Sequence, residues 1–456
     1  MSVAQLLAEL GEIPHTTERA LVRQKSRDFF WYSPVLKRQL DKLEAEAVIT
    51  PRTEAELITT LAACARHRVK VTPRGAGTGN YGQAMPLQGG VVLELAALNR
   101  PVWYRPGVAR VQAGMKLIAL DEGATEAVGG EMRVHPSTRR TATIGGFIGG
   151  GSSGIGSITW GMNREPGNIL GLRVLTMEET PRVLELRGAD IQKVNHAYGT
   201  NGIITEVEIP LAPAQDWVDA ILGFPDLMAA ARFADAFARE DGLTKKLACV
   251  LAPGILQTWF RGHAERLAAH EAAGLVMLAA PFMEYLAPLA EKFGGRVAHQ
   301  EPTRDAEVPL YEFTWNHTTL QALKTDRSIT YLQTLFAAPD HLAAVSRMAE
   351  KFGDEVPMHL EFVRLAGEVC CFGLQLVRFT TEARLAEIIA VHEAEGCPIF
   401  SPHAFTLEEG GMKTVDKDQL LFKHQADPLG LLNPGKMLGY DNPGWTAPAP
   451  GAPLFR

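Results

Sequence analysis

The sequence has 456 residues, of which 46% are hydrophobic and 21% charged, a composition close to the globular average. This length is more than one ordinary core needs, so two or more domains are expected. The net charge of −7 argues against a nucleic-acid partner. No apolar run reaches the roughly 18 residues of a membrane-spanning helix, so we predict no transmembrane segment.

The N-terminus and the cysteines bear on localisation. The N-terminus has early acidic residues and no basic stretch, so it does not resemble a secretory signal. It predicts an amphipathic helix that packs on its own domain, with a membrane anchor as the alternative. Five cysteines without C-x-x-C spacing fit a reducing compartment. We expect a cytoplasmic protein, with peripheral attachment at the inner membrane face as the alternative.

The first predicted elements are a helix and a strand within 35–50, followed by a helix from Thr53 to about His67. The letters TEAE at the start of this helix form a capping box. Strands are predicted at 69–73 and 91–95 because of their β-branched residues.

A glycine-rich loop joins these two strands and reads PRGAGTGNYG from Pro73 to Gly82. Its small residues leave the backbone accessible, and its N–H groups can converge on a diphosphate beside Arg74. Three of the glycines match G-x-G-x-x-G, but the strand at 91–95 leaves no room for the helix that a Rossmann fold requires. No Gly-Lys-Ser/Thr follows, so the loop is not a Walker A loop. The alternative is a glycine-rich hairpin that binds nothing.

A second glycine-rich segment, Thr141–Gly161, follows a predicted strand at 108–114 and reads TATIGGFIGGGSSGIGSITWG. Apolar residues bracket its glycines, which distinguishes it from a flexible linker. We expect an ordered loop whose backbone touches a flat ligand, with the hydroxyls of Ser152 and Ser153 near ligand heteroatoms. Its presence argues against the ligand-free reading of the first loop.

Strands at 168–177 and 182–187, a helix at 189–196 and a strand at 203–211 follow. The last of these strands begins within the segment GTNGIITE, which occupies 199–206.

From 216 to 400 the pattern changes to strands that alternate with helices. Short strands joined by helices, with a terminal hairpin, indicate an antiparallel sheet covered by helices on one face. Such a sheet can lie over a cofactor and supply a substrate pocket. The predicted strands are 218–223, 246–252, 275–282, 329–335 and the hairpin of 358–364 with 369–379, and the predicted helices are 226–239, 254–273, 284–293, 339–352 and 381–395.

The final motif, DPLGLLNPGK at 427–436, completes a set of four segments in a fixed order. That order resembles the vanillyl-alcohol oxidase and p-cresol methylhydroxylase superfamily of flavoproteins. Within it, the chain is most similar to the glycolate oxidase flavin subunit and D-lactate dehydrogenase type, over roughly 28–220 and 380–440.

The resemblance implies an α+β fold class. It comprises a two-subdomain FAD-binding domain of the p-cresol methylhydroxylase type and an antiparallel-sheet substrate domain covered by helices. We expect the FAD-binding domain at 1–215, with its core at about 38–213, and the substrate or cap domain at 216–400. Residues 401–440 return to the FAD-binding domain, and 441–456 form an extended tail.

The resemblance also implies how FAD is held. Arg74–Gly79 bind the diphosphate, the second glycine-rich segment follows the ribityl chain and the isoalloxazine ring, and Ile203–Ile204 flank the adenosine. Asn433 and Lys436 return to the ring. Some relatives attach FAD through a histidine at the position of Thr78, so non-covalent FAD is expected here. The predicted cofactor-binding residues are Pro73, Arg74, Gly75, Ala76, Gly77, Thr78, Gly79, Gly82, Gly145, Gly146, Gly149, Ser153, Gly154, Gly161, Ile203, Ile204, Asn433 and Lys436.

Catalysis needs a base, because oxidation of a carbon bearing a hydroxyl removes the hydroxyl proton. The candidates are His317 before a predicted helix, His403 ahead of the final motif, and His359 with Glu361 on one strand face. His317 and His403 rank first. The alternatives are a surface histidine near a helix cap at His317 and solvent-facing side chains on the strand. The metal-binding motif H-x-G-D-G-N-x-H of some relatives is missing, so no metal is predicted.

These features predict an FAD-dependent oxidoreductase, a dehydrogenase that oxidises a CH–OH group, most plausibly of a 2-hydroxy acid, by hydride transfer to FAD. Its partners would be a small-molecule substrate and an electron acceptor, which is a quinone, a cytochrome or an electron-transfer protein. Two alternatives stay open. One is an oxidase that uses O2 and releases hydrogen peroxide, and the other is a non-catalytic flavin-binding subunit of a larger complex.

Overall fold

The computed structural model describes residues 2–412 and 414–446. The last ten positions of the predicted extended tail, 447–456, lie outside the described residues. Three large sheets, each from a different stretch of the sequence, organise the chain. Among the described helices, none is long and apolar enough to cross a membrane.

The first sheet has the strand order β1-β2-β4-β3, with parallel pairing of β4 to both β2 and β3. Four helices and one 3-10 turn at Phe30–Tyr32 accompany it. The strands are His15–Thr16 (β1), Ala47–Ile49 (β2), Val71–Arg74 (β3) and Val91–Glu94 (β4), and the helices are Val3–Leu10 (α1), Arg19–Lys25 (α2), Pro34–Leu40 (α3) and Glu54–His67 (α4).

Helix α4 begins where the capping residue predicts. Thr53 Oγ1 accepts a hydrogen bond from the Glu56 N–H at 3.1 Å, which satisfies an amide at the helix start. The amphipathic helix α1 buries Leu6 and Leu10 in the same core as Leu57 of α4. The N-terminal helix thus packs on its own domain.

The second sheet is antiparallel, with the order β5-β6-β10-β8-β9 and β7 paired to β10. Strands β5 and β7 and helix α5 are additions to the predicted elements, and the predicted helix at 189–196 is a 3-10 helix at Gly188–Lys193. The elements are Pro101–Arg105 (β5), Val108–Gln112 (β6), Leu117–Val128 (α5), Gly130–Met132 (β7), Ile144–Gly150 (α6), Ser157–Trp160 (α7), Gly171–Leu175 (β8), Val183–Leu186 (β9) and Ile203–Pro213 (β10).

Helix α6 lies inside the segment that was predicted as a loop. Thr143 caps it, since its Oγ1 accepts from the Gly146 N–H at 3.3 Å. Ile144, Phe147 and Ile148 recur at helical spacing and are buried in the core of the second sheet. The loop was predicted because glycine has a low helix propensity. The packing of this apolar face stabilises the helix by more than the glycines destabilise it.

The third sheet has seven antiparallel strands in the order β14-β11-β13-β12-β17-β18-β16, with a separate pair β15-β19. The antiparallel sheet of the prediction is confirmed. The strands are Trp217–Phe224 (β11), Lys245–Leu251 (β12), Ala272–Ala279 (β13), Arg296–Pro302 (β14), Ile329–Tyr331 (β15), Thr334–Phe336 (β16), His359–Leu365 (β17), Glu368–Gly373 (β18) and Leu376–Arg378 (β19). The helices are Leu227–Arg239 (α8), Ile255–Trp259 (α9), Leu286–Glu291 (α10), Asn316–Leu323 (α11), His341–Phe352 (α12) and Glu382–Ala394 (α13).

Both faces of this sheet are covered, whereas one covered face was predicted. Helices α8, α10, α12 and α13 pack on one face, and α9 and α11 pack on the other. All residues of β12 and β13 are buried, including Lys245 and Lys246 at the start of β12.

Two further predictions in this region are wrong. The predicted helix 254–273 is the short α9 and a 3-10 turn at Ala264–Arg266, separated by Gly262 at φ 86°. The predicted strand 329–335 divides into β15 and β16, which pair with β19 and β18 respectively.

The C-terminal segment returns to the first sheet. It contains a π-helix at Glu408–Met412 and the helices Lys417–Ala426 (α14) and Leu438–Asp441 (α15). The Val71 N–H donates to Leu431 O and the Asn433 N–H donates to Val71 O, both at 2.8 Å. Residues 431–433 therefore lie beside β3.

A buried ion pair anchors this return. Lys423 Nζ donates to Asp427 Oδ2 at 2.6 Å, to Leu432 O at 2.9 Å and to Thr200 O at 3.0 Å. The lysine side chain is 3% exposed. Because it joins α14, the final motif and the turn before β10, it connects the C-terminal segment to the second sheet.

Replacement of Lys423 by methionine should leave the Asp427 carboxylate buried and unpaired. We expect Lys423→Met to lower the free energy of unfolding by about 3–5 kcal/mol. Lys417→Met, at an exposed position of the same helix, should change it by no more than about 0.5 kcal/mol. Urea unfolding followed by circular dichroism measures both. Equal effects of the two substitutions would contradict the anchoring role of the pair.

Candidate functional site

One cavity of about 440 Å³ lies where the two glycine-rich segments meet the elements of the third sheet. Its volume falls in the range of small-molecule and cofactor sites. The walls come from the loop after β3, from α6 and the residues after it, and from residues 315–400.

Most predicted cofactor-binding residues line this cavity. Five are not among its described lining residues: Gly82, Gly154, Gly161, Asn433 and Lys436. Those that line it are Pro73, Arg74, Gly75, Ala76, Gly77, Thr78, Gly79, Gly145, Gly146, Gly149, Ser153, Ile203 and Ile204.

The two glycine-rich segments are in direct contact through Thr143. A Cβ on Gly75 would lie 2.1 Å from Thr143 Oγ1, and one on Gly146 would lie 2.9 Å from the same atom. A Cβ on Gly145 would lie 2.6 Å from that of Ala113. A side chain on Gly75 would push the first loop away from the cap of α6, one on Gly146 would crowd that cap, and one on Gly145 would push α6 away from Ala113. The protein itself therefore needs these glycines.

Other parts of the wall expose the backbone to the cavity. No atom lies within 4 Å of an ideal Cβ at Gly149 or Gly150, so a ligand can approach the backbone of α6 there. Arg74 folds over Gly77, where an added Cβ would lie 2.1 Å from the guanidinium carbon. Arg74 Nη1 donates to Arg27 O at 2.6 Å, while its buried Nε has no protein partner.

Buried charges support the first loop from behind. Lys436 Nζ donates to Gly82 O, and Asn433 Nδ2 donates to Gln83 O at 2.8 Å. Asp28, which lines the cavity, accepts from the Ala84 N–H at 3.2 Å. Burial raises the pKa of Asp28 and lowers the pKa of Lys436. The attraction between the carboxylate and the ammonium group opposes both shifts.

The opposite end of the cavity is formed by Trp315, Asn316 and His317 at the start of α11. Trp315 has φ 52° and ψ −141°, a conformation that L-residues rarely adopt. Its N–H donates to Glu361 Oε1 at 2.6 Å, which helps to hold it there. Trp315 Nε1 and Asn316 Oδ1 are buried and have no protein partner.

His317 is the one catalytic candidate whose side chain belongs to the described lining of the cavity. Its Nδ1 lies 3.1 Å from Glu312 O, so Nδ1 carries a proton and donates to this carbonyl. Burial lowers the pKa of His317 to about 4, with nearby Lys324 acting in the same direction. The neutral ring therefore keeps a lone pair on Nε2.

His359 and Glu361 lie one layer behind this end, fully buried on β17. His359 Nε2 is 2.8 Å from Glu361 Oε1, and its Nδ1 is 3.2 Å from Leu374 O. Ligand atoms of this pair and of Cys249 lie within 4.8 Å of one another, a spacing that a metal ion can bridge. The pair contacts Trp315 rather than the cavity.

His403 is also separate from the cavity lining. Its Nε2 donates to Tyr331 O at 2.9 Å, and its Nδ1 lies 2.8 Å from Ser33 Oγ. Burial lowers the pKa of His403 to about 4, so the neutral ring uses one nitrogen as donor and the other as acceptor. In this arrangement both nitrogens are engaged by the protein.

Several lining residues had not been predicted. Tyr81 donates to Gln333 Oε1, which links the first glycine-rich loop to the third sheet. His196 and Tyr198 line the cavity with φ of 58° and 51°. Tyr81 could have been found as the one aromatic side chain in the first glycine-rich loop. Gln333 carries no comparable signal.

The comparisons with known proteins concern the region that contains both glycine-rich segments. Residues 45–185 match the family model of an FAD binding domain. An uncharacterized FAD-linked oxidoreductase of Mycobacterium tuberculosis is 32% identical over 220 residues, which are 45% of this chain and 44% of that protein. The glycolate oxidase subunit GlcD of Bacillus subtilis is 32% identical over 187 residues, 39% of each chain.

These matches cover less than half the length of the curated relatives. A solved structure of alkyldihydroxyacetonephosphate synthase superposes with a TM-score of 0.74 at 14% identity, covering 96% of this chain and 85% of that one. This likeness concerns the fold alone. Together the matches confirm the resemblance: the chain contains an FAD binding domain, and its relatives are FAD-linked oxidoreductases.

Proposed function

We propose that this chain is an FAD-dependent oxidoreductase that oxidises a CH–OH group by hydride transfer. The observation that carries the proposal is a single cavity with the FAD binding domain at one end and a neutral histidine at the other. When bound, FAD supplies the hydride acceptor. The finer description of the fold, a two-subdomain FAD-binding domain with a substrate domain at 216–400, is part of this proposal.

The wall of the cavity fits the coenzyme. The loop Pro73–Gly79 presents backbone N–H groups and Arg74 to a diphosphate, and the open backbone at Gly149 allows a flat ring to approach. Thr78 lacks the imidazole nitrogen through which some relatives attach FAD, which supports non-covalent FAD. Asn433 and Lys436 act on the coenzyme through the loop that they support.

The chain's own groups are placed for proton removal. His317 offers Nε2 as a base for the donor hydroxyl, and its hydrogen bond to Glu312 O fixes the tautomer. His359 and Glu361 are positioning residues, because Glu361 holds the Trp315 amide next to His317. His403 supports the wall through Tyr331.

The donor class is a finer proposal. The likeness to a glycolate oxidase subunit of Bacillus subtilis supports a 2-hydroxy acid. The side chains at the His317 end favour an uncharged donor instead. The electron acceptor is a quinone, a cytochrome or an electron-transfer protein, with O2 as the alternative.

The glycine loop gives a first prediction. Gly77→Val should yield colourless protein, because a branched side chain at φ 68° displaces Arg74 from the diphosphate position. Gly89 has the same φ of 68° in the same connection, but no atom lies closer than 3.9 Å to its Cβ position. Gly89→Val therefore introduces the same backbone strain as Gly77→Val but places no side chain in the cavity. This control variant should bind FAD and stay yellow. Absorbance near 450 nm per mole of protein measures both, and full flavin occupancy in Gly77→Val would contradict the placement.

The proposed reaction predicts bleaching of the flavin. Hydroxy acids, their esters and simple alcohols are mixed anaerobically with the FAD-loaded protein, and at least one should abolish the visible absorbance. Air is then admitted. Return of the colour within seconds indicates an oxidase, and slow return indicates a dehydrogenase. A spectrum that no donor bleaches would favour the non-catalytic subunit.

Removal of the base should slow flavin reduction. His317→Gln is expected to lower the rate by about 100- to 10,000-fold, whereas His270→Gln, at an exposed position, should leave it unchanged. Because burial lowers the pKa of His317 to about 4, the wild-type rate should stay level from about pH 8 to pH 6 and fall only as the pH approaches 4. Stopped-flow spectroscopy measures both. A decline centred near pH 6.5 would contradict this assignment.

A further inference from the structure

The His317 end of the cavity has no cationic side chain. Among the described residues that line the cavity, Arg74 is the one lysine or arginine, and it lies in the glycine loop at the other end. Arg74 donates to Arg27 O and to Ala76 O, which fixes it there. Burial keeps the pKa of His317 at about 4, so this ring is uncharged near neutral pH. Lys324 acts on His317 from an exposed position outside the described lining, so a carboxylate bound next to His317 would have no cationic lining side chain to pair with.

The polar groups at this end form a neutral donor and acceptor. The buried Trp315 Nε1 donates and the buried Asn316 Oδ1 accepts, and neither has a protein partner. Both side chains are uncharged, so neither offers an opposite charge to an anion.

Apart from the uncharged polar side chains of Tyr81 and Gln333, the other side chains at this end are apolar. Leu320 lies one helical turn beyond Asn316 on α11, and Met162, Leu374 and the ring pair Phe372–Phe400, with centroids 5.8 Å apart, complete the wall. These side chains favour contact with an apolar body rather than with a small, fully polar acid.

We propose that the substrate is an uncharged hydroxy compound with an apolar body, and that the site disfavours the anion of a 2-hydroxy acid. This proposal rests on the proposed function. A buried carboxylate without a partner loses its hydration and gains no compensating charge. The diphosphate of FAD adds negative charge to the same cavity, which disfavours a second anion further.

A matched set of ligands tests the charge requirement. Mandelate, methyl mandelate and mandelamide, in both enantiomers, share one skeleton and differ in charge. Each is titrated anaerobically into the FAD-loaded protein, and Kd is taken from the shift of the flavin spectrum, with bleaching followed separately. The ester or the amide should bind at least about tenfold more tightly than the acid. Equal or tighter binding of the acid, or binding of none of the three, overturns the proposal. If the ester binds more tightly than the acid but does not bleach the flavin, the charge preference is supported and the proposed oxidation is not.

A substitution at Leu320 provides a second test. Leu320→Arg introduces a cation one turn from Asn316 and should reduce the preference for ester over acid by at least about tenfold. Leu320→Met keeps the volume and the lack of charge and should retain the wild-type preference. Yellow colour shows that each variant folds and binds FAD. If Leu320→Arg binds FAD and keeps the wild-type preference for ester over acid, the assignment of the His317 end to an uncharged substrate is overturned. If Leu320→Arg does not bind FAD, the binding of ester and acid to the wild-type protein decides the question.

Discussion

The cavity depends on one close contact between a threonine side chain and a glycine of another segment. Thr143 caps α6 and at the same time lies against Gly75 in the loop after β3. A Cβ on Gly75 would lie 2.1 Å from the threonine oxygen, so the contact is possible only with glycine. It fixes the loop next to the helix and leaves the backbone at Gly149 open. The binding of a flat, negatively charged coenzyme follows from this arrangement of exposed amides.

Charge is distributed unequally around that backbone. Arg74, Asp28 and Lys436 all lie at the glycine loop, and the last supports it from behind. The other end is polar without being charged, because burial keeps His317 neutral. The buried Glu361 shapes this end indirectly by accepting from the strained Trp315 amide. The coenzyme and the donor are therefore expected to meet in one cavity with very different electrostatic surroundings.

Much of the fold followed from local patterns. The strands around both glycine-rich segments and the cap of α4 were predicted because each depends on residues close in sequence. The antiparallel third sheet was predicted from the alternation of short strands and helices. Helix α6 was missed because tertiary packing of Ile144 and Phe147 outweighs glycine propensity. Among the candidate bases, the sequence could not separate His317 from His403. The partners of His403 are Ser33 and Tyr331, which only the folded chain brings together.

The central claim is that the glycine-rich walls hold FAD without a covalent bond. The most direct measurement is the flavin content of the purified protein before and after denaturation. The account predicts a visible flavin spectrum, with close to one FAD per chain released into the supernatant on boiling. Protein that binds no flavin under any loading condition, or flavin that stays attached to the denatured chain, would contradict it.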